Sequence, residues 1–187
     1  MKNEKYLFIV SGPAGVGKDT VVAAVRAAHP EVERSVTATT RAPRPGEVDG
    51  INYHFRTVEA FEKLRDENGV LEWNFYCGNY YGTLRSDVEA RLEARHCVVL
   101  VIDVNGAASI KKLYPGATTV FICPPSAEEL EARLRGRGTE DEETVKKRLA
   151  RAKEELALAS TYDVRLTNGS VEQCAADLYQ LICTRSR

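Results

Sequence analysis

The sequence predicts an α/β domain: a parallel sheet flanked by helices, with an inserted mixed α/β segment and a short helical lid. Three observations carry this reading. Short apolar runs, Tyr6–Val10, Cys97–Ile102 and Ala117–Cys123, alternate with helix-periodic stretches, as strands buried on both faces of a parallel sheet do. The first run leads directly into Gly12-x-x-x-x-Gly17-Lys18 and then a helix-favouring stretch. Between Ile51 and Thr83 the chain becomes aromatic-rich and turn-rich, which marks an insertion into the main rhythm.

Taken in order, Tyr6–Val10 reads as a buried strand and Lys18–Ala28 as a helix that His29-Pro30 stops. Arg34–Thr39 reads as one short strand. Two prolines and a glycine then keep Arg41–Glu47 irregular. In the insertion, Asn52–Phe55, Val70–Phe75 and Asn79–Thr83 are strand-like, Val58–Glu67 is helical, and Gly50, Gly69 and Gly78 mark turns. Arg85–Arg95 is the next helix, followed by the strand Cys97–Ile102, which ends at the carboxylate of Asp103. Ala107–Leu113 (helix), Ala117–Cys123 (strand) and Ala127–Arg135 (helix) continue the alternation. A flexible charged segment, 136–143, precedes a long helix, Glu143–Ser160, then a strand, Tyr162–Thr167, and a final helix, Val171–Cys183.

At 187 residues the chain is long enough for one domain with a real core. Its formal net charge of -1 gives no bulk electrostatic case for nucleic acid or an anionic membrane. Nothing resembles a membrane span or a signal peptide. The five cysteines are odd in number, scattered and outside any metal-binding spacing, which fits a reducing cytoplasm.

Chemistry gathers in four places. Strand, glycine loop and helix at Gly12–Thr20 form a phosphate cradle: glycines let backbone N–H groups converge, and Lys18 adds a point charge. Asp103 has two readings, a carboxylate beside the phosphates' metal ion or simply a helix cap. Arg41, Arg44, Arg133, Arg137 and Arg148 fit phosphate recognition, with Gly136 and Gly138 as hinges of a closing flap. They fit a solvated helix hairpin laced by Glu–Arg pairs equally well. Glu72, with Thr37, Tyr53, Tyr81 and Thr83, suits a guanine edge, whose N1–H and N2–H₂ pair a carboxylate fork. It also reads as the exposed face of an alternating strand.

Thr37–Glu47 with Gly50 and Tyr53, Leu71-Glu72-Trp73, Gly78–Thr83, Ile102–Gly106 and Gly136 through Arg148 resemble, in order, the motifs of the guanylate kinases. The resemblance spans about Tyr6 to Cys183. It implies transfer of a phosphoryl group from ATP to GMP, and dGMP as a further acceptor, with Mg²⁺, in purine nucleotide metabolism. It implies a core (1–33, 86–134 and 160–187), a GMP-binding subdomain (34–85) and a lid (135–159). By position, Gly12, Pro13, Ala14, Gly15, Val16, Gly17, Lys18, Asp19, Thr20, Arg133 and Asn168 would hold ATP. Thr37, Arg41, Arg44, Tyr53, Glu72, Tyr81, Thr83 and Asp103 would hold GMP. Lys18, Arg41, Arg137 and Arg148 would carry catalysis. The small-molecule substrates would be the only partners, with no nucleic acid, membrane or obligate protein among them.

The sequence departs from the family pattern at Ala14, Thr37 and Thr83, each in place of serine, and at Asn105 in place of glutamine. Val101 stands where many members have an additional carboxylate. The largest departure is Asp19, where a Ser or Thr normally ligates Mg²⁺. Its carboxylate is itself a good Mg²⁺ ligand and suits the first turn of a helix. Asp19 is therefore the expected metal residue, with Thr20 or water as the alternative. Two other functions are weighed: a phosphopeptide-binding module of the same fold, and a small-molecule kinase with another acceptor, such as ribose bisphosphate. The intact Gly12, Gly15, Gly17 and Lys18 argue against the first, and Glu72 with Tyr53 and Tyr81 against the second.

Overall fold

The computed structural model describes residues 3–136 and 142–187. A 3₁₀ turn at Glu4–Tyr6 leads into β1 (Leu7–Ser11), and α1 (Lys18–Ala28) follows the glycine loop. β2 (Val32–Arg34), β7 (Cys97–Val101), β8 (Thr118–Cys123) and β9 (Val164–Thr167) complete a five-stranded parallel sheet in the order β2-β7-β1-β8-β9.

Why β1 is apolar without interruption follows from its two faces. Leu7 and Ile9 enter one core, with Val88, Leu92, Ile110 and Tyr114 of α3 (Arg85–Glu93) and α4 (Val104–Leu113) and the residue that follows it. Phe8 and Val10 enter the other, with Val21, Val25, Leu130, Leu134, Leu178 and Ile182 of α1, α5 (Ala127–Arg135) and α7 (Val171–Arg185). Successive side chains on a strand point to opposite faces, so a sheet covered on both sides has no solvent-facing position to spare. α6 (Glu142–Ala157) and a 3₁₀ turn at Leu158–Thr161 lie between α5 and β9.

The second sheet is mixed, in the order β4-β3-β6-β5: β3 (Thr37–Thr39), β4 (His54–Phe55), β5 (Val70–Tyr76) and β6 (Asn79–Leu84). β5 and β6 are antiparallel, and Cys77 and Gly78 between them both have positive φ, as a two-residue hairpin turn requires. Thr57 caps α2 (Val58–Asp66) by accepting from the Ala60 amide. α2 then delivers Phe61 into a small core with Ala38, Val70 and Leu84. Leu71 joins the main core beside Val88 and Ala107, tying the second sheet to α3 and α4.

Several elements differ from the sequence reading. Arg34–Thr39 is two strands in two sheets, with Arg34 in the parallel one. The break is enforced by Asp87 of α3, which accepts from the Ser35 hydroxyl at 2.8 Å and the Val36 amide at 3.2 Å. Arg91, Ser35 and the Val36 amide hold that carboxyl below its ordinary range although burial alone would raise it. Tyr6 belongs to the 3₁₀ turn instead of β1. Only His54–Phe55 of the Asn52–Phe55 run pairs as strand. α4 begins at Val104, three residues before the expected start, because Asp103 caps it.

Candidate active site

β1 ends at Ser11, and the chain turns into α1 through Gly12–Gly17. Gly12 has φ 142°, and a Cβ there would lie 2.4 Å from the Ile122 carbonyl oxygen, so only glycine fits against β8. Gly17 has φ 93°, and its missing Cβ leaves room for the Asn168 amide. Lys18 donates from Nζ to the carbonyls of Gly12 (2.5 Å) and Pro13 (3.0 Å), which closes the loop under its ammonium.

Arg133 and Asn168 meet at the same loop. Asn168 Nδ2 donates to the Val16 carbonyl at 2.8 Å, and its own backbone carbonyl accepts from Arg133 at 3.1 Å. Arg133 also reaches the Val16 carbonyl at 3.5 Å. Oδ1 of buried Asn168 and Oγ of buried Ser11 find no hydrogen-bond partner among the described residues. Buried polar atoms without partners are costly, so these two mark where a ligand or water completes the loop. Ala14, Asp19 and Thr20 are exposed around it.

A cavity of about 280 Å³ opens beside α1, between the carboxyl edge of the parallel sheet and the second sheet. Asp19, Arg34, Val101, Ile102 and Asp103 line it from one side. Thr37, Tyr53, Glu72, Asn74, Tyr76, Tyr81 and Gly82 line it from the other. Glu72 accepts from the Thr83 hydroxyl at 2.6 Å through Oε1. Its Oε2 leans on Gly106 of α4, where a Cβ would come within 2.7 Å of it. Burial pushes the Glu72 carboxyl up, the Thr83 hydroxyl opposes the rise, and the Asp103 carboxylate adds to it.

Asp103 is the cap of α4, and it lines the cavity as well. Its Oδ1 caps α4 by accepting from the Gly106 amide at 2.8 Å, and its Oδ2 accepts from Asn74 Nδ2 at 2.9 Å. Arg151 of α6 lies 3.8 Å from the same Oδ2.

Arg41 forms a two-pronged ion pair with Glu47, at 2.8 and 2.9 Å, and Glu47 also accepts from the Arg44 amide at 2.7 Å. The Arg41 guanidinium stands over the rings of Tyr53 (5.2 Å) and Phe55 (5.9 Å). Its side chain is 15% exposed, whereas Arg44 is exposed. Glu47 holds Arg41 above its ordinary range, and Arg41 with the Arg44 amide holds Glu47 below. Tyr53 and Tyr81 meet edge to face at 6.3 Å.

Arg148 of α6 donates to the Tyr76 hydroxyl at 3.4 Å, so the helix expected to belong to the lid reaches β5 of the second sheet. Arg137 lies outside the described residues. Asp19 pairs with Arg34 at 2.7 Å. No cluster of three or more acidic, histidine or cysteine residues suited to a metal occurs among the described residues. Nor is any helix among them long and apolar enough to cross a membrane.

Sequence reasoning passed over Arg34, Asn74 and Tyr76. For the last two a signal existed: Glu72, Asn74 and Tyr76 alternate along one strand and so share a face. Trp73 and Phe75 take the opposite face, packing edge-on against Tyr80.

The comparisons agree with this geometry. The family model described as guanylate kinase matches residues 4–185. A guanylate kinase of Streptomyces kasugaensis is 50% identical over 180 residues, covering 96% of this chain and 88% of its own. One from Synechococcus sp. (strain CC9311) is 48% identical over 170 residues, covering 91% and 90%. The crystal structure of guanylate kinase from Anaplasma phagocytophilum superposes with a TM-score of 0.75 at 28% identity, covering 96% of this chain and 85% of that one. Matched over nearly its whole length, the chain belongs to the guanylate kinase family.

Proposed function

We propose that the chain catalyses transfer of the γ-phosphoryl group of ATP to GMP, giving ADP and GDP, with dGMP as a second acceptor. The observation that carries the reading is Glu72: a half-buried carboxylate in the cavity wall, with Thr83 as its hydroxyl donor. The guanine N1–H and N2–H₂ pair supplies what such a carboxylate lacks, and adenine has no matching edge. Thr37 lines the same cavity and completes the base contacts.

The roles follow from charge and reach. The loop amides and Lys18 hold the donor phosphates, Lys18 exchanging loop carbonyls for phosphate oxygens. Arg133 and Asn168, already joined to the loop, serve the donor nucleotide, with Asn168 on the base side. Arg41, Arg44, Tyr53 and Tyr81 hold the acceptor phosphate, Glu47 keeping the Arg41 fork aligned until it arrives. Arg148 and Arg137 neutralise the group in flight. The acceptor phosphate is the nucleophile and is already ionised, so the reaction needs alignment and charge neutralisation and no general base. Residues 34–85 act as the acceptor-binding subdomain and 135–159 as the lid, in a cytoplasmic enzyme.

Asp19, with Asp103 nearby, would hold a Mg²⁺ ion, which would supply positive charge against the donor phosphates. The residues present fit it: it takes one or two carboxylates together with substrate phosphates, and Asp19 and Asp103 are carboxylates lining one cavity. Asp19, in the first turn of α1, is the one assigned to hold it.

A coupled ADP-release assay with GMP, dGMP, AMP, UMP and ribose bisphosphate tests the function. Turnover is expected with GMP and dGMP alone, and no turnover with GMP refutes the proposal. Glu72 makes a second prediction. Its folded carboxyl titrates above the unfolded one, so ionising it costs stability as pH rises beyond the ordinary carboxylate range. Guanine binding needs the ionised form, so affinity for guanosine, which has no phosphate titrating there, should rise through the same window. Glu72→Gln should abolish the rise and weaken guanosine binding by about 1.5–3 kcal/mol while ATP binding holds. Equal losses for both ligands would make Glu72 structural. Asp19→Ser should shift the Mg²⁺ dependence of turnover, and an unchanged dependence rules Asp19 out as a ligand.

A further inference from the structure

The acceptor cavity presents an electrostatic problem. Its described lining holds three carboxylates, Asp19, Glu72 and Asp103, and one cation, Arg34. Arg41 and Arg44, assigned to the acceptor phosphate, are not in that lining, so a phosphate monoester near the lining meets net repulsion unless Arg34 faces it. Two of the carboxylates have other work. Glu72 is assigned to the guanine edge, and Asp103 accepts from the Gly106 amide and Asn74. Asp19 faces Arg34.

Arg34 is well placed to meet that phosphate. It is the last residue of β2, at the carboxyl edge of the parallel sheet, in register with Val99 of β7. The next residue, Ser35, is pinned by Asp87, so the backbone that carries the guanidinium is fixed. The side chain is partly exposed and makes one hydrogen bond among the described residues, from a single terminal nitrogen to Asp19 Oδ1 at 2.7 Å. A guanidinium has five N–H donors in a rigid fork, so most of this one's capacity remains for an incoming oxyanion.

We propose that Arg34 is a phosphate-binding residue of the acceptor site, which exchanges its bond to Asp19 for bonds to the 5′-phosphate of the bound nucleotide. The inference rests on GMP being the acceptor. Asp19 is then the carboxylate that phosphate displaces from Arg34.

Calorimetric binding of GMP and of guanosine to the full chain, without ATP or Mg²⁺, separates the phosphate contribution from that of the base. Arg34→Met should weaken GMP binding about ten-fold and leave guanosine unchanged, with Arg34→Lys in between. Asp19→Asn, which removes the competing carboxylate, should leave GMP binding as tight or tighter. Thermal melting checks that each variant is folded, and Arg34→Lys carries the test if the methionine variant is not. Arg34→Met that changes both ligands equally, or neither, overturns the proposal. So does an Asp19→Asn loss as large as that of Arg34→Met, since a merely structural pair behaves that way. Wild-type protein that binds no GMP contradicts the function itself, whereas wild-type binding that Arg34→Met leaves intact contradicts only the role of Arg34.

Discussion

A carboxylate drawn partly out of water must be met by donors, and among the described residues Glu72 has one side-chain donor, the Thr83 hydroxyl. Asp103 beside it makes ionisation harder still. Much of the surrounding structure serves to hold this arrangement. Gly106 is the residue of α4 that lets Glu72 approach, because any Cβ there would press on Oε2. Asp103 caps the same helix and takes Asn74 from the same face of β5. Leu71, next to Glu72, is buried in the main core and fixes β5 against α3 and α4. A ligand bringing a matched donor pair would offset the cost of desolvating Glu72, which is the basis of the specificity proposed for it.

Phosphate handling rests on a different economy of groups. Around the loop, backbone does most of the work. Gly12 and Gly17 exclude Cβ atoms where β8 and Asn168 come close, and Arg133 and Asn168 brace the Val16 carbonyl. On the acceptor side, Arg41, proposed to meet the acceptor phosphate, is held by both carboxylate oxygens of Glu47. That pairing fixes the orientation of a flexible side chain ahead of binding, so less freedom would be lost when phosphate arrives.

Much of this was legible in the sequence. Lys18–Ala28 and Ala127–Arg135 form helices with the bounds their patterns suggest, since each has a local stop or cap. The parallel sheet was visible because its strands are apolar on both faces. The single strand expected at Arg34–Thr39 broke because Asp87, about fifty residues away in sequence, claims Ser35 and Val36. No local pattern encodes that. The early start of α4 did have a signal, an Asp three residues before Gly106, but Asp103 was weighed mainly as a ligand-facing carboxylate. Arg34 stayed hidden for a similar reason: its partner Asp19 lies on another element, and only the fold brings β2 and the first turn of α1 to one cavity.

The Glu72 carboxylate is proposed to bond the guanine edge. The imino proton of GMP labelled with ¹⁵N at N1 reports that bond directly by NMR on the saturated full chain. The account predicts a sharp, exchange-protected N1–H resonance, shifted downfield, in the wild-type complex. An N1–H that exchanges with water as fast as in free GMP, with the protein saturated, would contradict it.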